Sequence, residues 1–326
     1  MSELFERIGE MMMAAERVAV LTHMDPDADA IGSAAGLALM LEARGKEVLV
    51  PVQGLIRDVV DWLRPEEILR RAWPAEFQPD LIVVVDCSDG ARIGGVVAEP
   101  LGAFPGVAVI NIDHHAGNRM FGDVNWVIEG LSSTCEMMVD FARGVGWDMD
   151  ERVAGYLLAG IVSDTGRFQY SSTTPATMET AAFLMAKGAD LAKINQALEL
   201  RMTIEGIQLW GEVMSEAALA FDGRVVWSAI RLAGYEDEAK MAGLLSREMV
   251  SFLRRQATAE MAILFKEEEA GVVRLTMRSQ GAFDCGRVAR HFDGGGHKAA
   301  AGGQVMGSLE EARLAVWKYL AEEMFE

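Results

Sequence analysis

The sequence predicts an α/β fold, in which a mostly parallel sheet flanked by helices is followed by a smaller α+β domain. Apolar runs of strand length alternate with helix-length segments over the first half of the chain, which is typical of a parallel sheet. Three of these runs lead into histidine or aspartate, and the carboxyl ends of parallel strands share one edge where ligands bind. From about Ala217, consecutive hairpin patterns replace the alternation and predict the second domain.

The domain boundaries follow from this change of pattern. We predict a larger domain at residues 1–189, a helical connector at 190–215, where no strand pattern occurs, and a smaller domain at 216–326. A chain of 326 residues is long enough for two domains with separate hydrophobic cores.

The elements of the larger domain are marked by apolar runs and by helix-capping residues. Strands are expected at 18–22, 47–52, 81–85, 107–112 and 124–128, and helices at 2–16, 30–44, 61–72, from 132, 151–162 and 174–187. Gly45 is suited to end the second helix. Ser133 and Glu136 have the spacing of a capping box. Pro175 takes the first position of the last helix, where proline is favoured.

The smaller domain is predicted from turn signals. Asp222-Gly223 indicates a tight turn between strands at 217–221 and 224–230. The remaining elements are a hairpin at 260–266 and 272–277, and helices at about 236–255, 283–291 and 308–326. Ser308 and Glu311 give the final helix a second capping box.

Composition and charge narrow the possible functions. No apolar run approaches the roughly 20 residues of a membrane span. The net charge of −19 argues against binding to long duplex nucleic acid, which requires a basic surface. A short phosphorylated substrate stays compatible, because bound divalent cations reverse the local charge. The three cysteines are scattered, and we interpret them as free thiols of a cytoplasmic protein.

The strand ends carry residues that favour a metal site. Asp113-His114-His115 follows the run 107–112, Asp86 follows 81–85, and the segment 23–29 (HMDPDAD) follows 18–22. Imidazole and carboxylate together suit ions such as Mn and Zn. The segment 23–29 offers enough carboxylates to serve two ions, and Asp164 adds a more weakly supported candidate.

Each candidate also has a simpler explanation. An aspartate at a helix start is favoured by the helix dipole, which would explain Asp29. Asp164 lies in a Ser-Asp-Thr-Gly turn with ordinary turn chemistry, and His115 would fit a buried histidine bonded to backbone. The combination of all these residues nevertheless favours a two-metal phosphoester site over an accidental acidic crevice.

A glycine loop in the smaller domain indicates anion binding. Gly294-Gly295-Gly296-His297-Lys298 would let backbone amides approach a phosphate, although a flexible hairpin tip is the alternative. Arg278 and Arg287 lie nearby in sequence, and either would grip a phosphate or be a plain surface charge. His291 is interpreted as structural.

These motifs resemble those of the DHH/DHHA1 phosphoesterase superfamily over nearly the whole chain. The matching segments are HMDPDAD at 23–29, VVVDCSD at 83–89, IDHH at 112–115, SSTCE at 132–136, SDTGRF at 163–168 and GGGHKAAAG at 294–302. Their order and spacing are similar to the short bacterial branch of bifunctional oligoribonucleases (nanoRNases) and pAp phosphatases. The resemblance implies a DHH domain at 1–189 and a substrate-binding DHHA1 domain at 216–326.

The resemblance also implies a role for each residue. His23, Asp27 and Asp86 would hold one ion, while Asp29, Asp86, His114 and Asp164 would hold the other. Asp113 would orient the site, His115 would act on the reacting phosphate, and Arg278, Gly294, Gly295, Gly296, His297 and Lys298 would bind substrate. Ala28 and Asp25 depart from the family's usual glycine and asparagine, but neither is a ligand position.

The function predicted on this basis is hydrolysis of short phosphorylated nucleotides with two divalent metal ions, Mn first and Mg or Co as alternatives. The expected substrates are pAp, dinucleotides such as pGpG, and oligoribonucleotides of about two to four nucleotides, a range that the resemblance implies. A cyclic-dinucleotide phosphodiesterase or a polyphosphatase is the alternative among enzymes. A non-catalytic nucleotide-binding regulatory module is the alternative of another class. A homodimer is left open.

Overall fold

Short apolar runs form the central strands of a parallel sheet in the N-terminal part of the chain. The strands are β1 Arg17–His23, β2 Glu47–Pro51, β3 Leu69–Arg70, β4 Leu81–Val85, β5 Ile93–Gly94, β6 Ala108–Asp113 and β7 Val124–Val127. Their order is β3-β2-β1-β4-β6-β7, all neighbours parallel, with the short β5 antiparallel to β1. Every residue of β4 is buried, as expected for a strand covered on both faces.

The structure is a computed structural model that describes residues 2–53, 63–94, 101–198, 202–231, 239–269, 271–280, 283–296 and 298–323. The chain divides into two units, Met1–Leu200 and Arg201–Glu326. The division falls within the predicted connector, and the three-part domain scheme stays a prediction.

The described part of the first unit contains six helices. They are α1 Ser2–Ala14, α2 Ala28–Glu42, α3 Thr134–Gly144, α4 Glu151–Asp164, α5 Pro175–Ala186 and α6 Leu191–Leu198. Glycine lets α2 and α4 approach closely, since a Cβ added at Gly32 would lie 2.5 Å from the Tyr156 carbonyl oxygen. A Cβ at Gly160 would lie 2.3 Å from Cys135 Sγ and 2.8 Å from Asp29 Oδ1. The small residues therefore bring three helices together beneath one edge of the sheet.

The second unit contains a mostly antiparallel sheet of six strands with four helices in its described residues. The elements are α7 Ile204–Ser215, β8 Ala218–Ala220, β9 Val225–Ile230, α8 Ala239–Leu253, β10 Met261–Glu269, β11 Val272–Ser279, α9 Cys285–His291, β12 Gly295–Gly296, β13 Ala300–Met306 and α10 Leu309–Glu323. The strand order is β12-β13-β11-β10-β9-β8, and only the β9–β10 pair is parallel among these neighbours. Alternate β10 residues Met261, Ile263 and Phe265 belong to this unit's own core.

The predicted fold class is confirmed, and two local predictions are wrong. Residues 63–72 of the expected helix at 61–72 form a short 3₁₀ turn at Pro65–Glu67 and then β3, which pairs with β2. Proline inside the segment disfavours a continuous helix, and sheet pairing overrides the remaining helix propensity. Residues 61–62 lie outside the described residues.

The second correction concerns the cap of α3. Ser133 accepts a hydrogen bond from the Glu136 backbone N–H at 3.0 Å, which is one half of a capping box. The Glu136 carboxylate, however, accepts from Ser132 Oγ and from Thr177 Oγ1. The capping box at Ser308 and Glu311 is complete.

Two further features bear on the predictions from composition. Among the described residues, no helix combines the length and the apolar character of a membrane-spanning segment. Cys87, Cys135 and Cys285 are free and buried.

Candidate metal centre

Six of the side chains predicted to bind metal meet at the carboxyl edge of the parallel sheet. Strand β1 ends at His23, β4 is followed by Asp86, and β6 is followed by His114. Helices supply the other three, namely Asp27 and Asp29 at the start of α2 and Asp164 at the end of α4. The structure therefore brings together residues that the sequence spreads from position 23 to position 164.

His23, Asp27 and Asp86 form one group. His23 Nε2 lies 3.7 Å from Asp86 Oδ2 and 4.0 Å from Asp27 Oδ2. Asp27 is also the N-cap of α2, because its Oδ1 accepts from the backbone N–H groups of Asp29 and Ala30, both at 3.1 Å. One oxygen of Asp27 thus caps a helix while the other faces the imidazole.

His114, Asp29 and Asp164 form a second group. His114 Nε2 lies 3.4 Å from Asp164 Oδ2 and 3.8 Å from Asp29 Oδ2. It also lies 3.5 Å from Asp86 Oδ1, so Asp86 faces both groups. Asp86 has a backbone φ of +54°, an uncommon conformation that aspartate tolerates better than most residues.

The two histidines present the same ring nitrogen to the carboxylates. His23 Nδ1 lies 2.7 Å from the Met24 carbonyl oxygen, and His114 Nδ1 lies 3.0 Å from the Leu131 carbonyl oxygen. A carbonyl accepts only, so each Nδ1 carries the proton and each Nε2 has a free lone pair. Backbone bonds of this kind fix the tautomer of metal-binding histidines.

The arrangement fits divalent metal ions. His114 Nε2 is buried and has no hydrogen-bond partner among the described residues, an arrangement that a metal ion would satisfy. Ligand atoms that share one ion at about 2.1 Å lie roughly 3–4 Å apart. The nitrogen–oxygen separations of 3.4–4.0 Å in both groups agree with that spacing.

The carboxylates of the centre lie so close together that their mutual repulsion favours the binding of cations. Burial raises the pKa of Asp86 well above its ordinary value, and the nearby Asp29, Asp27 and Asp164 raise it further. Burial, together with Asp29 and Asp27, raises the pKa of Asp164 to about 9. Bound cations would offset this repulsion, since ions are often the largest local charges in such sites.

His115 has different partners from His23 and His114. Its Nδ1 donates to Asp113 Oδ1 at 2.7 Å, and Asp113 Oδ2 accepts from Asn118 Nδ2 at 2.6 Å. The bond to Asp113 raises the pKa of His115 against the opposing effect of burial. Burial would raise the pKa of Asp113, but the bonds from His115 and Asn118 outweigh it and lower the pKa.

These contacts distinguish His115 from His23 and His114. His115 Nδ1 also lies 3.5 Å from Asp86 Oδ1, and that distance alone would allow a shared ion with His114. Nδ1 is already committed to Asp113 at the much shorter distance, so we assign it as a donor. The His115 side chain is one-third exposed, at 33%.

Sequence reasoning missed two residues that hold the carboxylates. Thr134 Oγ1 donates to Asp86 Oδ1 at 3.0 Å, and the Thr134 backbone N–H donates to Asp29 Oδ2 at 2.7 Å. Asn118 orients Asp113, as described above. Asp29 lies in the first turn of α2, as the simpler explanation expects, and its carboxylate also accepts from the backbone at the start of α3.

In the second unit, Arg278 and Gly294, Gly295 and Gly296 line one cleft of about 550 Å³. The same cleft is lined by Arg247, Lys266 and Arg274, which the sequence analysis did not single out. Glu268 forms two ion pairs. Its Oε1 lies 2.8 Å from Lys266 Nζ, and its Oε2 lies 2.8 Å from Arg274 Nη2. The glycine segment thus shares its cleft with four cationic side chains and with the carboxylates of Glu268 and Asp293.

The glycines are not a free hairpin tip. Gly295 pairs with Gly302 and Gly296 with Ala301 across β12 and β13. A Cβ added at Gly294 would lie 2.0 Å from the Gly302 carbonyl oxygen, so strand contact explains why a side chain is excluded there. Gly295 faces open space, which leaves its position accessible to a ligand.

Other residues predicted nearby have different surroundings. His297 lies outside the described residues, and Lys298 is exposed. Arg287 forms an ion pair with Glu323, so its interpretation as a surface charge is the better one. His291 stacks on Tyr319 with ring centroids 4.2 Å apart, in agreement with a structural role.

Comparison with known proteins places similarity along almost the whole chain. The sequence matches the DHH family, N-terminal domain, over residues 17–161 and the DHHA1 domain over residues 222–322. It is 32% identical to the bifunctional oligoribonuclease and PAP phosphatase NrnA of Thermus thermophilus, over 99% of this chain and 95% of that protein. The protein of the same name from Bacillus subtilis is 27% identical over 90% of each chain.

A solved structure has the same fold over its full length. The crystal structure of an exopolyphosphatase-related protein from Bacteroides fragilis superimposes with a TM-score of 0.86 at 25% identity, covering 99% of this chain and 98% of that one.

Proposed function

This chain belongs to the DHH family of phosphoesterases and carries a DHHA1 domain, and from that membership we propose that it hydrolyses short phosphorylated nucleotides with two divalent metal ions. The proposal extends to short oligoribonucleotides, dinucleotides such as pGpG, and pAp. We further propose Mn as the ion that supports the highest rate, with Mg or Co as substitutes.

The observation that carries the proposal is the placement of Asp86 between two groups of ligand atoms. Its Oδ2 faces His23, and its Oδ1 faces His114. A carboxylate shared in this way is the usual bridge of a two-ion phosphoester site. His23, Asp27 and Asp86 would hold one ion, and His114, Asp29, Asp164 and Asp86 would hold the other.

The protein and the ions would divide the chemistry between them. When bound, the ions would supply Lewis-acid stabilisation of phosphoryl oxygens and a lowered pKa for the attacking water. His115 donates its Nδ1 proton to Asp113, and this bond raises the pKa of the ring. The doubly protonated ring would carry a second proton on Nε2, which would face the substrate and donate a proton or hydrogen bond as negative charge develops. Asn118 holds Asp113, so His115 is oriented before the substrate binds.

The names of the relatives and the cleft of the second unit support the substrate class. The Thermus and Bacillus relatives are named for oligoribonuclease and PAP phosphatase activity. Arg247, Arg278 and the glycine segment would bind phosphate groups of the substrate through charge and backbone amides. A polyphosphatase is the second candidate, because the Bacteroides relative is named exopolyphosphatase-related.

A substrate panel with a ligand variant tests this proposal. Purified protein, stripped with a chelator and reloaded with Mn, is assayed on pAp, pGpG, a longer RNA, cyclic di-AMP and polyphosphate. We expect turnover of pAp and pGpG that requires the metal, and none from Asp86→Ala, which removes the shared ligand. Asp148→Ala is the control, because Asp148 is 88% exposed and only pairs with Lys187.

Three results would contradict the proposal. Polyphosphate as the only substrate would replace it with the second candidate. Binding of nucleotides without turnover would indicate a regulatory module. Full activity of Asp86→Ala would exclude the shared carboxylate.

A further inference from the structure

Residues 131–136, which we call the positioning segment, contact three side chains of the candidate metal centre, His114, Asp29 and Asp86. The Leu131 carbonyl oxygen accepts from His114 Nδ1 at 3.0 Å. The Cys135 backbone N–H donates to Asp29 Oδ1 at 2.9 Å. One short stretch of chain therefore contacts a histidine and a carboxylate of the second group.

Thr134 extends these contacts to the first group. Its backbone N–H bonds Asp29 and its hydroxyl bonds Asp86, so a single residue holds the two carboxylates together. Thr134 and Asp29 are 0% exposed and Asp86 is 1% exposed. Water therefore has no access from this side to replace a lost donor, and an unsatisfied buried carboxylate oxygen is costly.

The far side of the positioning segment is anchored to the fold. Glu136 is 3% exposed and its Oε2 accepts from Thr177 Oγ1 at 3.0 Å and from Ser132 Oγ. Thr177 belongs to the first turn of α5. The segment is thus fixed to a second helix, and motion of Thr134 would require breaking buried hydrogen bonds.

We propose that Thr134 is a positioning residue that sets Asp86 at a fixed place relative to Asp29 and so preorganises both metal-binding groups. This inference rests on the proposed metal dependence. When both are ionised, the buried Asp86 and Asp29 carboxylates repel each other. The Thr134 hydroxyl selects one rotamer of Asp86 in which each carboxylate oxygen faces a different histidine. Groups that orient metal ligands from behind contribute about 10- to 100-fold to affinity.

The test compares Thr134→Val with Thr134→Ser in Mn binding followed by calorimetry and by electron paramagnetic resonance. Valine keeps the shape and the backbone N–H bond to Asp29 but removes the hydroxyl. We expect Thr134→Val to weaken binding of at least one Mn by about 10- to 100-fold and to change the spin coupling between the ions. Serine restores the hydroxyl and should restore affinity. At saturating Mn, we expect Thr134→Val to have a KM near that of the wild type and a kcat below it.

Thr22→Val is the matched control. Thr22 is 1% exposed, lies on β1 beside His23, and its hydroxyl has no hydrogen-bond partner among the described residues. The same substitution there should leave Mn affinity unchanged. If Thr134→Val does not fold, as judged by circular dichroism, Thr134→Ala removes the same hydroxyl with less bulk.

The outcomes separate this inference from the proposed function. Wild-type protein that binds no divalent ion would overturn both. Wild-type protein that binds two ions, together with a Thr134→Val variant of equal affinity, would overturn the inference alone. Thr134→Ser as weak as Thr134→Val would also overturn it, because the loss would then come from packing and not from the hydroxyl.

Discussion

His115 differs from the other site histidines in its hydrogen bond. His23 and His114 give their Nδ1 protons to backbone carbonyls and aim Nε2 at carboxylates, whereas His115 bonds Asp113. We therefore predict that His115→Ala still binds two Mn ions but loses most of kcat. Loss of one transition-state donor typically costs about 10²- to 10³-fold.

Turnover of pGpG and Mn stoichiometry by elemental analysis measure the two effects separately. His291→Ala is the control, since that ring stacks on Tyr319 and meets Phe292 edge to face in the second unit. A His115→Ala protein that binds one ion fewer would make His115 a ligand instead.

Asp164 contributes a pH-dependent instability to the metal-free protein. Its pKa rises from an ordinary 3.8 to about 9 through burial and through Asp29 and Asp27. A raised carboxyl pKa means that the folded state holds a proton that the unfolded state has released, so stability falls as pH rises from about 4 towards 9. Asn cannot ionise. We predict that metal-free Asp164→Asn melts at a higher temperature than wild type at pH 8.

The difference in melting temperature between Asp164→Asn and the wild type should shrink towards pH 5, where the cost of ionising Asp164 in the folded state is smaller. Thermal unfolding in chelator at both pH values measures it. A difference that is equal at the two pH values would indicate that the charge of Asp164 is not the cause.

At the scale of elements, the approach of α4 to α2 and α3 depends on Gly160. The added Cβ would meet Cys135 Sγ and Asp29 Oδ1, so Gly160→Ala should displace a metal ligand. We predict a loss of about 1–3 kcal/mol in unfolding free energy from overpacking, with weaker Mn binding. Chemical denaturation and Mn titration measure the two effects.

Gly211→Ala in α7 is the matched helical control. Nothing lies within 4 Å of a Cβ added there, so alanine should stabilise the helix by about 0.5–1 kcal/mol. If both variants are equally stable, the close approach at Gly160 tolerates a methyl group and our packing argument fails.

The sequence predicts elements well where a local pattern decides them. The capping pattern around Thr174 and Pro175, the turn at Asp222-Gly223 and the ligand-bearing ends of β1, β4 and β6 all lie where the pattern indicates. The segment 61–72 fails because pairing of Leu69 with Val50 overrides its local propensity.

Residues that act through distant contacts could not be found in this way. Thr134 meets Asp86 and Asp29 across separations of 48 and 105 residues, and no local pattern encodes those pairs. Asn118 lies in a loop without periodicity. The partners of Thr134 would have required a three-dimensional arrangement of the strands, whereas Asn118 lies only five residues from Asp113 and was missed because no pattern marks it.

For the whole molecule, the net charge of −19 should oppose long polyanions more than short ones. We predict that kcat/KM is highest for substrates of about two to four nucleotides and that this preference weakens at higher salt. The Debye length falls from about 10 Å at 0.1 M to 3 Å at 1 M, which screens repulsion from charges outside the site. The measurement is the ratio of kcat/KM on pGpG to kcat/KM on a 24-nucleotide RNA at several salt concentrations.

A control with constant Mn activity is needed, because salt also weakens ion binding. A ratio that does not change with salt would show that shape alone, and not charge, excludes long RNA.

The wide sequence separation of the site residues also determines when the candidate metal centre can form during synthesis. Asp29 accepts a hydrogen bond from Cys135, which is 106 residues further along the chain and is synthesised later. The second group is incomplete until Asp164 at the end of α4 has been synthesised. A chain emerging from the ribosome therefore has no finished centre until the parallel sheet can close around it. Given the proposed metal dependence, we expect metal to load late in the life of each molecule, and the folded protein, not the nascent chain, to select among competing ions.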